Sequence, residues 1–515
     1  MPIKPVGSKP RFDVLRTVKL VQEYQTGYAL NRSKLQAWLD STDFRQYPLF
    51  WPGGYADKKH YLFDSTITIP AAAGLRWEGM GLQDPDGYSG NDTGSFICNR
   101  GDNNATTFDG TSVKLTSSGA GTTCTVVGRT VTARDLYGAV KITGGTNVTA
   151  GWYGITAVNT GSNTWTLSGV ATGGTPTTVN WCTGAVTDGT GFYSPTLVQN
   201  KAYGFTADGL SFTGKVLQAD TLGGQVLWHN LSSTQAGASP GGHQTVFRNC
   251  GFGNANVGVL GGVDMAGAYG EEYAGWTSEW VGRTATHADT DIFQNCIFSN
   301  LKTAYYRRNQ NGVWASFRDC RFSNVQQEVF RFDAGGQLSA DTLWISGTGS
   351  GTRQCLLTLG RGVSSNMNPF LLSKVFFDHA TDHPQLLVAK LDGASQGDAS
   401  VVIDGAKVDA IDETSTVLDD YPLIDIAGGV ALTLRGIVGP NTAGSTLPFW
   451  AGCMKLNAGF NGYKPTVLLD RCQINLSDPT TIVDEANSVA GCKVIFRDCY
   501  KNDYTLHTNQ TYTTT

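Results

Sequence analysis

Two short alternations of apolar and polar residues recur from the middle of the chain to its end. The longer one appears three times in clear form: Phe247-Arg-Asn-Cys250-Gly-Phe252-Gly-Asn254, Phe293-Gln-Asn-Cys296-Ile-Phe298-Ser-Asn300 and Phe317-Arg-Asp-Cys320-Arg-Phe322-Ser-Asn324. Looser copies follow at Leu469-Asp-Arg-Cys472-Gln-Ile474-Asn475 and Phe496-Arg-Asp-Cys499-Tyr, and Gly209 stands for the Cys in Phe205-Thr-Ala-Asp-Gly209-Leu-Ser-Phe212. An apolar residue, two polar ones, a small Cys, an aromatic and a closing Asn predict a strand that bends at its middle. A shorter phrase lies between these copies: Tyr306-Arg307-Arg308-Asn309, Phe330-Arg331-Phe332-Asp333, Leu357-Thr358-Leu359-Gly360, Ala389-Lys390-Leu391-Asp392, Ile424-Asp425-Ile426-Ala427 and Met454-Lys455-Leu456-Asn457. Period two puts its apolar residues on one face and its middle polar residue on the other.

Repetition of this kind means stacked units that share one core. A bent strand, a short strand and loops of variable length, recurring roughly every 23 to 35 residues, predict the coil of a three-sided parallel β-solenoid. The Leu-x-x-Leu-x-Leu frame and helical returns of leucine-rich repeats are missing. Ahead of the repeats, Asn31-Arg-Ser33-Lys-Leu-Gln-Ala-Trp-Leu-Asp40 predicts a helix capped by Asn31 or Ser33, with Leu35, Trp38 and Leu39 on one stripe. Such a helix would plug the open end of a solenoid. Between Gly110 and about Asp188 the pattern changes to Thr- and Val-rich alternation broken by Gly-containing turns, which predicts an inserted small antiparallel β-sandwich or barrel.

The expected organisation is therefore an N-terminal arm over 1–30 that docks on a particle and a capping helix with the first coil over 31–109. The insert follows over 110–190, the main solenoid over 191–503 and an extended or frayed polar tail over 504–515.

Composition narrows the function. The chain has 515 residues, 64 of them Gly, and only 16% are charged, which fits an all-β protein with many tight connections. A net charge of −5 gives no basic groove, so nucleic acid is not an expected partner. No apolar run approaches the about 18 residues needed to span a bilayer. The N-terminus carries no apolar export region, so synthesis in a cytoplasm without secretion is expected. Eleven Cys is an odd count; Cys250, Cys296, Cys320, Cys472 and Cys499 occupy equivalent repeat positions and predict a ladder of buried thiols rather than a disulfide framework. With no C-x-x-C pair and no ligand spacing among His60, His229, His243, His379 and His383, no metal and no cofactor are expected. P-loop, dinucleotide and Gly-x-Ser-x-Gly patterns are also missing from any strand-to-helix context.

The segment from Asn31 to Gly81 adds a resemblance. The helix is followed by Phe50-Trp51-Pro52-Gly53-Gly54-Tyr55, then Ile67-Thr-Ile69-Pro70, then Gly79-Met-Gly81. Together with the coils from Phe205 to Cys499, this resembles the pectate-lyase-like right-handed parallel β-helix proteins, the group of phage tailspikes and many polysaccharide-degrading enzymes. The resemblance implies three parallel sheets, right-handed winding and, in tailspikes, a homotrimer on a virion that binds a cell-surface glycan and in some cases depolymerises it. A long C-terminal trimerisation domain, present in many tailspikes, is absent from the pattern. Two alternatives stand beside this expectation: a free polysaccharide lyase or glycoside hydrolase, and a purely structural virion protein.

Chemistry is expected at two places. One connection, Asp264 to Thr290, is much longer than the rest and holds Tyr269, Glu271, Glu272, Tyr273, Trp276, Glu279, Trp280, Arg283, His287 and Asp289. Aromatic rings there would stack on sugar rings. Glycoside cleavage needs two carboxyl groups, about 5–5.5 Å apart for retention or about 6.5–9.5 Å for inversion, and Glu271, Glu272, Glu279 and Asp289 are the candidates. The other reading of this loop is packing on the solenoid flank. The second place is the outward row of the short phrase, where Arg307 and Arg331 would stack one coil apart and bind an anionic saccharide, unless Glu328 and Asp333 simply neutralise them.

Overall fold

In the computed structural model the chain is a parallel β-solenoid, each coil giving one strand to each of three ladders. The structure describes the residues of the strands and short helices and the tight connections between them from Lys19 onward. Residues 1–18 and the longer connections, among them 52–60, 82–94, 188–195, 214–225, 231–243, 262–289, 409–421 and 440–450, lie outside the described residues.

The first sheet runs through Thr196–Asn200, Val226–Asn230 and residues 257–261, 303–307 and 328–332 to Met454–Asn457. The second runs through Gly204–Asp208, Gln244–Arg248, Thr290–Gln294 and residues 314–318 to Lys493–Arg497. The third takes Leu210–Thr213 and residues 251–253, 297–299, 321–323 and onward.

The repeated phrase forms the corner between the second and third sheets. Asn249, Asn295 and Asp319, each just before a Cys, have φ of 51°, 50° and 53°; the closing Asn254, Asn300 and Asn324 have φ of 58°, 51° and 51°. Asn and Asp tolerate this left-handed region better than other side chains, so each copy turns twice. The amides then bond from coil to coil: Asn295 Nδ2 donates to Asn249 Oδ1 (2.8 Å), Asn300 to Asn254 (2.6 Å) and Asn324 to Asn300 (3.1 Å).

Between the turns the apolar positions point in. Phe247, Phe293 and Phe317 stack at 5.1 and 4.3 Å, and Phe252, Phe298 and Phe322 at 5.0 Å each. Each such ring contributes about 1.5–3 kcal/mol on burial. Cys250, Cys296 and Cys320 stand in one column, which continues through Leu343, Val375 and Ala406; the eight described cysteines are buried free thiols.

Both open ends are covered, as exposed sheet edges require. At the start the helix Arg32–Asp40 buries Leu35 and Leu39 in the core. Its Gln36 donates Nε2 to Thr68 O (2.8 Å) and accepts from Thr68 N (3.0 Å), so a side-chain amide closes the edge of strand Ile67–Ile69. At the far end the polar tail is not frayed. Gln510–Thr513 folds back antiparallel on Lys493–Arg497, and Thr514 Oγ1 accepts from Cys492 N (2.8 Å).

The insert is a seven-stranded antiparallel sheet between third-sheet strand Ser95–Asn99 and first-sheet strand Thr196–Asn200. It begins with Ala105–Phe108, ahead of the composition change at Gly110. Its pairing closes on itself, because Lys114–Ser117 pairs with both Thr123–Val127 and Val179–Thr187.

Candidate functional site

The outer side of the first sheet carries one dense group of charges. Its outward row is Tyr306, Arg331, Thr358, Val388, Asp425 and Lys455. Arg331 is bonded on both sides: Nη1 to Glu328 Oε1 (3.3 Å), Nε to Asp333 Oδ1 (3.1 Å) and Nη2 to Asp333 Oδ2 (3.4 Å). Thr303 Oγ1 donates to Glu328 Oε2 (2.6 Å), Tyr306 OH donates to Asp333, and the guanidinium lies over the Tyr306 ring at 5.1 Å. Glu328, Arg331 and Asp333 are all buried. Glu328 and Asp333 thus neutralise Arg331, one of the two readings that the sequence left open.

Arg307 is not where the sequence pattern put it. It pairs with Phe332, and it is Tyr306 that stands beside Arg331. The cause is one extra residue in the connection after Val325, because Leu301 pairs with Val325 but Thr303 with Glu328. A slip of one residue exchanges the faces of a strand. The expectation of Arg307 as an outward, saccharide-binding neighbour of Arg331 is therefore corrected: its side chain is buried inside the coil. Ala389 likewise stands beside Leu359 rather than Leu357, a shift of two that keeps its face.

Inside, Arg307 meets a polar chain that pattern reading missed. Arg307 Nη2 donates to Asp291 Oδ2 (2.8 Å), Tyr305 OH to Asp291 Oδ2 (2.6 Å) and Asn230 Nδ2 to Asp291 Oδ1 (2.6 Å). Asn230 Oδ1 accepts from Trp228 Nε1 (2.7 Å), and Asn200 Nδ2 extends the chain by one more coil (3.1 Å). Burial pushes the Tyr305 phenol well above its usual value. Gly261 leaves the room: a Cβ there would sit 3.2 Å from Tyr305 OH and 3.3 Å from Asp291 Oδ2. In corrected register, an inward Asp291 and an inward Arg307 on the same coil are a signal the sequence does contain.

A further feature has no counterpart in the sequence. Among the described residues, Gln327 Oε1, both polar atoms of Gln354, Thr358 Oγ1, Gln385 Oε1 and Asp425 Oδ1 are buried without a hydrogen-bond partner. All belong to the first sheet or to the corner leading into it, Gln327 on the coil of Arg331 and the others on the coils that follow. Buried polar atoms are normally satisfied, so such a cluster is unusual.

Glu271, Glu272, Glu279, Asp289, Tyr269, Tyr273, Trp276 and Trp280 lie outside the described residues. Their connection leaves the first sheet at Gly261 and enters the second at Thr290, the two strand ends next to Asp291 and Arg307. Among the described residues no group of His, Cys, Asp and Glu could hold a metal ion, and no helix is long and apolar enough to cross a membrane.

No protein-family profile matches the chain, and no curated protein does. Among solved structures it is similar to the tailspike protein gp49 from Pseudomonas phage LKA1, at 11% identity and a TM-score of 0.18, over 86% of this chain and 72% of that one. A second similarity is to the Gp54 tailspike of Acinetobacter baumannii bacteriophage AP22, solved with A. baumannii capsular saccharide, at 10% identity and a TM-score of 0.15, over 94% of this chain and 80% of that one.

Proposed function

We propose that the chain is a virion spike or fibre protein that binds a host-surface polysaccharide on the outer side of its first sheet. The cluster of unpartnered buried polar atoms at Gln327, Gln354, Thr358, Gln385 and Asp425, next to the Glu328–Arg331–Asp333 group, carries this reading. A rigid solenoid presents acceptors and donors at fixed spacing, and saccharide hydroxyls would complete them. Both carboxylates of the group already accept from Arg331, so they suit holding a sugar better than giving a proton to a leaving oxygen. Cleavage, if the chain performs it, falls to the candidates Glu271, Glu272, Glu279 and Asp289, with Tyr269, Tyr273, Trp276 and Trp280 as sugar platforms; attachment to the particle falls to the N-terminal arm.

A homotrimer accompanies this reading. One outward row of the second sheet, Thr206, Val246, Ile292, Ser316, Ser339, Leu371, Val402, Thr433, Leu468 and Ile495, carries no charge, although Arg76 precedes it and the outward row beside it holds charges such as Arg248, Arg318 and Arg497. Nine steps of about 4.8 Å make this stripe about 43 Å long. Leu371 is 43% exposed on it. An uncharged stripe of that length suits contact with copies of itself. Light scattering should give three times 55.0 kDa; a monomer would refute the trimer.

The test of the site is Thr358→Val and Gln354→Met. Their polar atoms have no hydrogen-bond partner among the described residues, so replacing them with apolar groups should not destabilise the fold and should stabilise it by about 1 kcal/mol or more. Retention of the full chain on capsular polysaccharide from a sensitive host should fall at least tenfold. Unchanged retention would overturn the site.

A further inference from the structure

The outer face of the third sheet carries its own stripe. Its outward column reads Ile297, Arg321, Trp344, Phe376, Lys407, each on the next coil. Trp344 is 48% exposed, an unusual position for the largest apolar side chain. Its ring is held edge-to-face on Phe376 at 5.4 Å and 89°, so it stands in a fixed orientation with a face left open. Lys407 Nζ lies 5.3 Å over the Phe376 ring, and Arg321 is exposed on the opposite side of Trp344. In the parallel column beside it, Ser299 is buried, and the half-buried Ser323, Ser346 and Asp378 offer two hydroxyls and one carboxylate.

We infer that this stripe is a second saccharide site, distinct from the first-sheet group, and that it takes an acidic chain lying along the solenoid axis. The inference rests on the glycan-binding reading above and adds the class of glycan. Spacing supports it. Coils repeat at about 4.8 Å, close to the length of one pyranose unit, so successive sugars meet successive coils. Two cations bracket an aromatic pair over three such steps. Trp344 stacks on the apolar face of one ring, the serines face its hydroxyls, and Arg321 and Lys407 meet carboxylates on the flanking units. The apolar platform gives affinity, while the two cations give the preference for acidic units and its salt dependence.

The full chain is titrated by calorimetry with galacturonate-, glucuronate- and sialate-bearing oligosaccharides and their neutral counterparts, at low and high salt. An acidic member should bind, more weakly at high salt. Trp344→Ala should weaken it at least tenfold and Trp344→Phe less than threefold, with melting temperatures lowered by no more than a few degrees, because only the edge-to-face contact with Phe376 is lost. Arg321→Ala and Lys407→Ala should each erase much of the acidic preference. If Trp344→Ala and Arg321→Ala bind as the parent does while Thr358→Val loses binding, the stripe is refuted and the first-sheet site stands. If Trp344→Ala weakens acidic and neutral ligands alike and Arg321→Ala changes nothing, the acidic class is refuted. If the parent binds no member, both readings fall.

Discussion

Removing Asp291 and removing Arg307 should have unequal consequences, although the two form one ion pair. The pair is fully buried, with side-chain exposures of 0% and 1%, and N and O are 2.8 Å apart. Asp291→Ala strands the guanidinium, whose Nε and Nη1 already lack partners. An uncompensated buried charge costs about 3–5 kcal/mol. The same change also orphans Asn230 Nδ2 and Tyr305 OH, adding about 1 kcal/mol or more for each, for a total of about 5–7 kcal/mol. Arg307→Met leaves the carboxylate with those two donors and removes a poorly satisfied guanidinium. Met is flexible enough to fill the space beside Phe332, so the cost should be about 1–3 kcal/mol.

Urea unfolding followed by circular dichroism measures the global cost, and hydrogen exchange locates it. Solenoid coils couple mainly to their neighbours, so lost protection should centre on Thr290–Gln294 and residues 303–307 and spare the coils after Leu386. The double variant should cost less than Asp291→Ala alone, because it removes the stranded charge. Equal costs for the two single variants, or a larger cost for Arg307→Met, would refute the reasoning.

Three further outcomes follow from the same geometry. Thr342 occupies the corner with φ of 57°, where most other coils place Asn, Asp or Gly and two place Lys374 and Arg471; Thr342→Asn should stabilise by about 1 kcal/mol in urea, and a loss would mean its Oγ1 bond to Asp341 Oδ2 (3.1 Å) outweighs the strain. Burial pushes the Cys250 thiol up to about 12, so the native protein at pH 8 should leave it unlabelled by a thiolate-directed reagent that labels it in urea. Arg497 and, after the opposing effect of burial, Arg435 hold the Asp470 carboxyl down at about 2 from 3.8, so its contribution is complete above about pH 4 and is lost as pH falls towards 2. The shift corresponds to about 2.4 kcal/mol at most, and to about 1 kcal/mol because both arginines are well exposed to solvent; Asp470→Asn should therefore flatten the acid limb of a stability–pH curve in that range.

What could be read from the sequence and what could not divide along one physical line. The corner between the second and third sheets was legible where its copies keep the same residue types: φ near 50° favours Asn, Asp or Gly at the turns, and stacked rings reward the same aromatic coil after coil, while the coils that place Thr342 or Lys374 at the turn and Leu343 or Val375 in the Cys column escaped the pattern. The first sheet constrains only polarity, so its copies align as well in one register as in the next. There a single extra residue after Val325 moved Arg307 from the outer row to the interior. Nothing local marks that residue; what marks it is the partner, since an inward Arg is tolerable only where Asp291 also points inward, on the preceding strand of the same coil. The groups taken here as saccharide-binding were harder still to find. Gln354 and Thr358 are ordinary polar residues in an alternating strand, and their distinction is that folding leaves them buried without partners. That is a property of the space around them, which a one-dimensional pattern does not encode. The exposed Trp344 lies between these cases: alternation gives its outward direction, but only the neighbouring coils show that Phe376 steadies it and that Arg321 and Lys407 flank it. In a solenoid, then, repeat phrases report the core, and a binding site is read by comparing the same outward position across successive coils once the register is known.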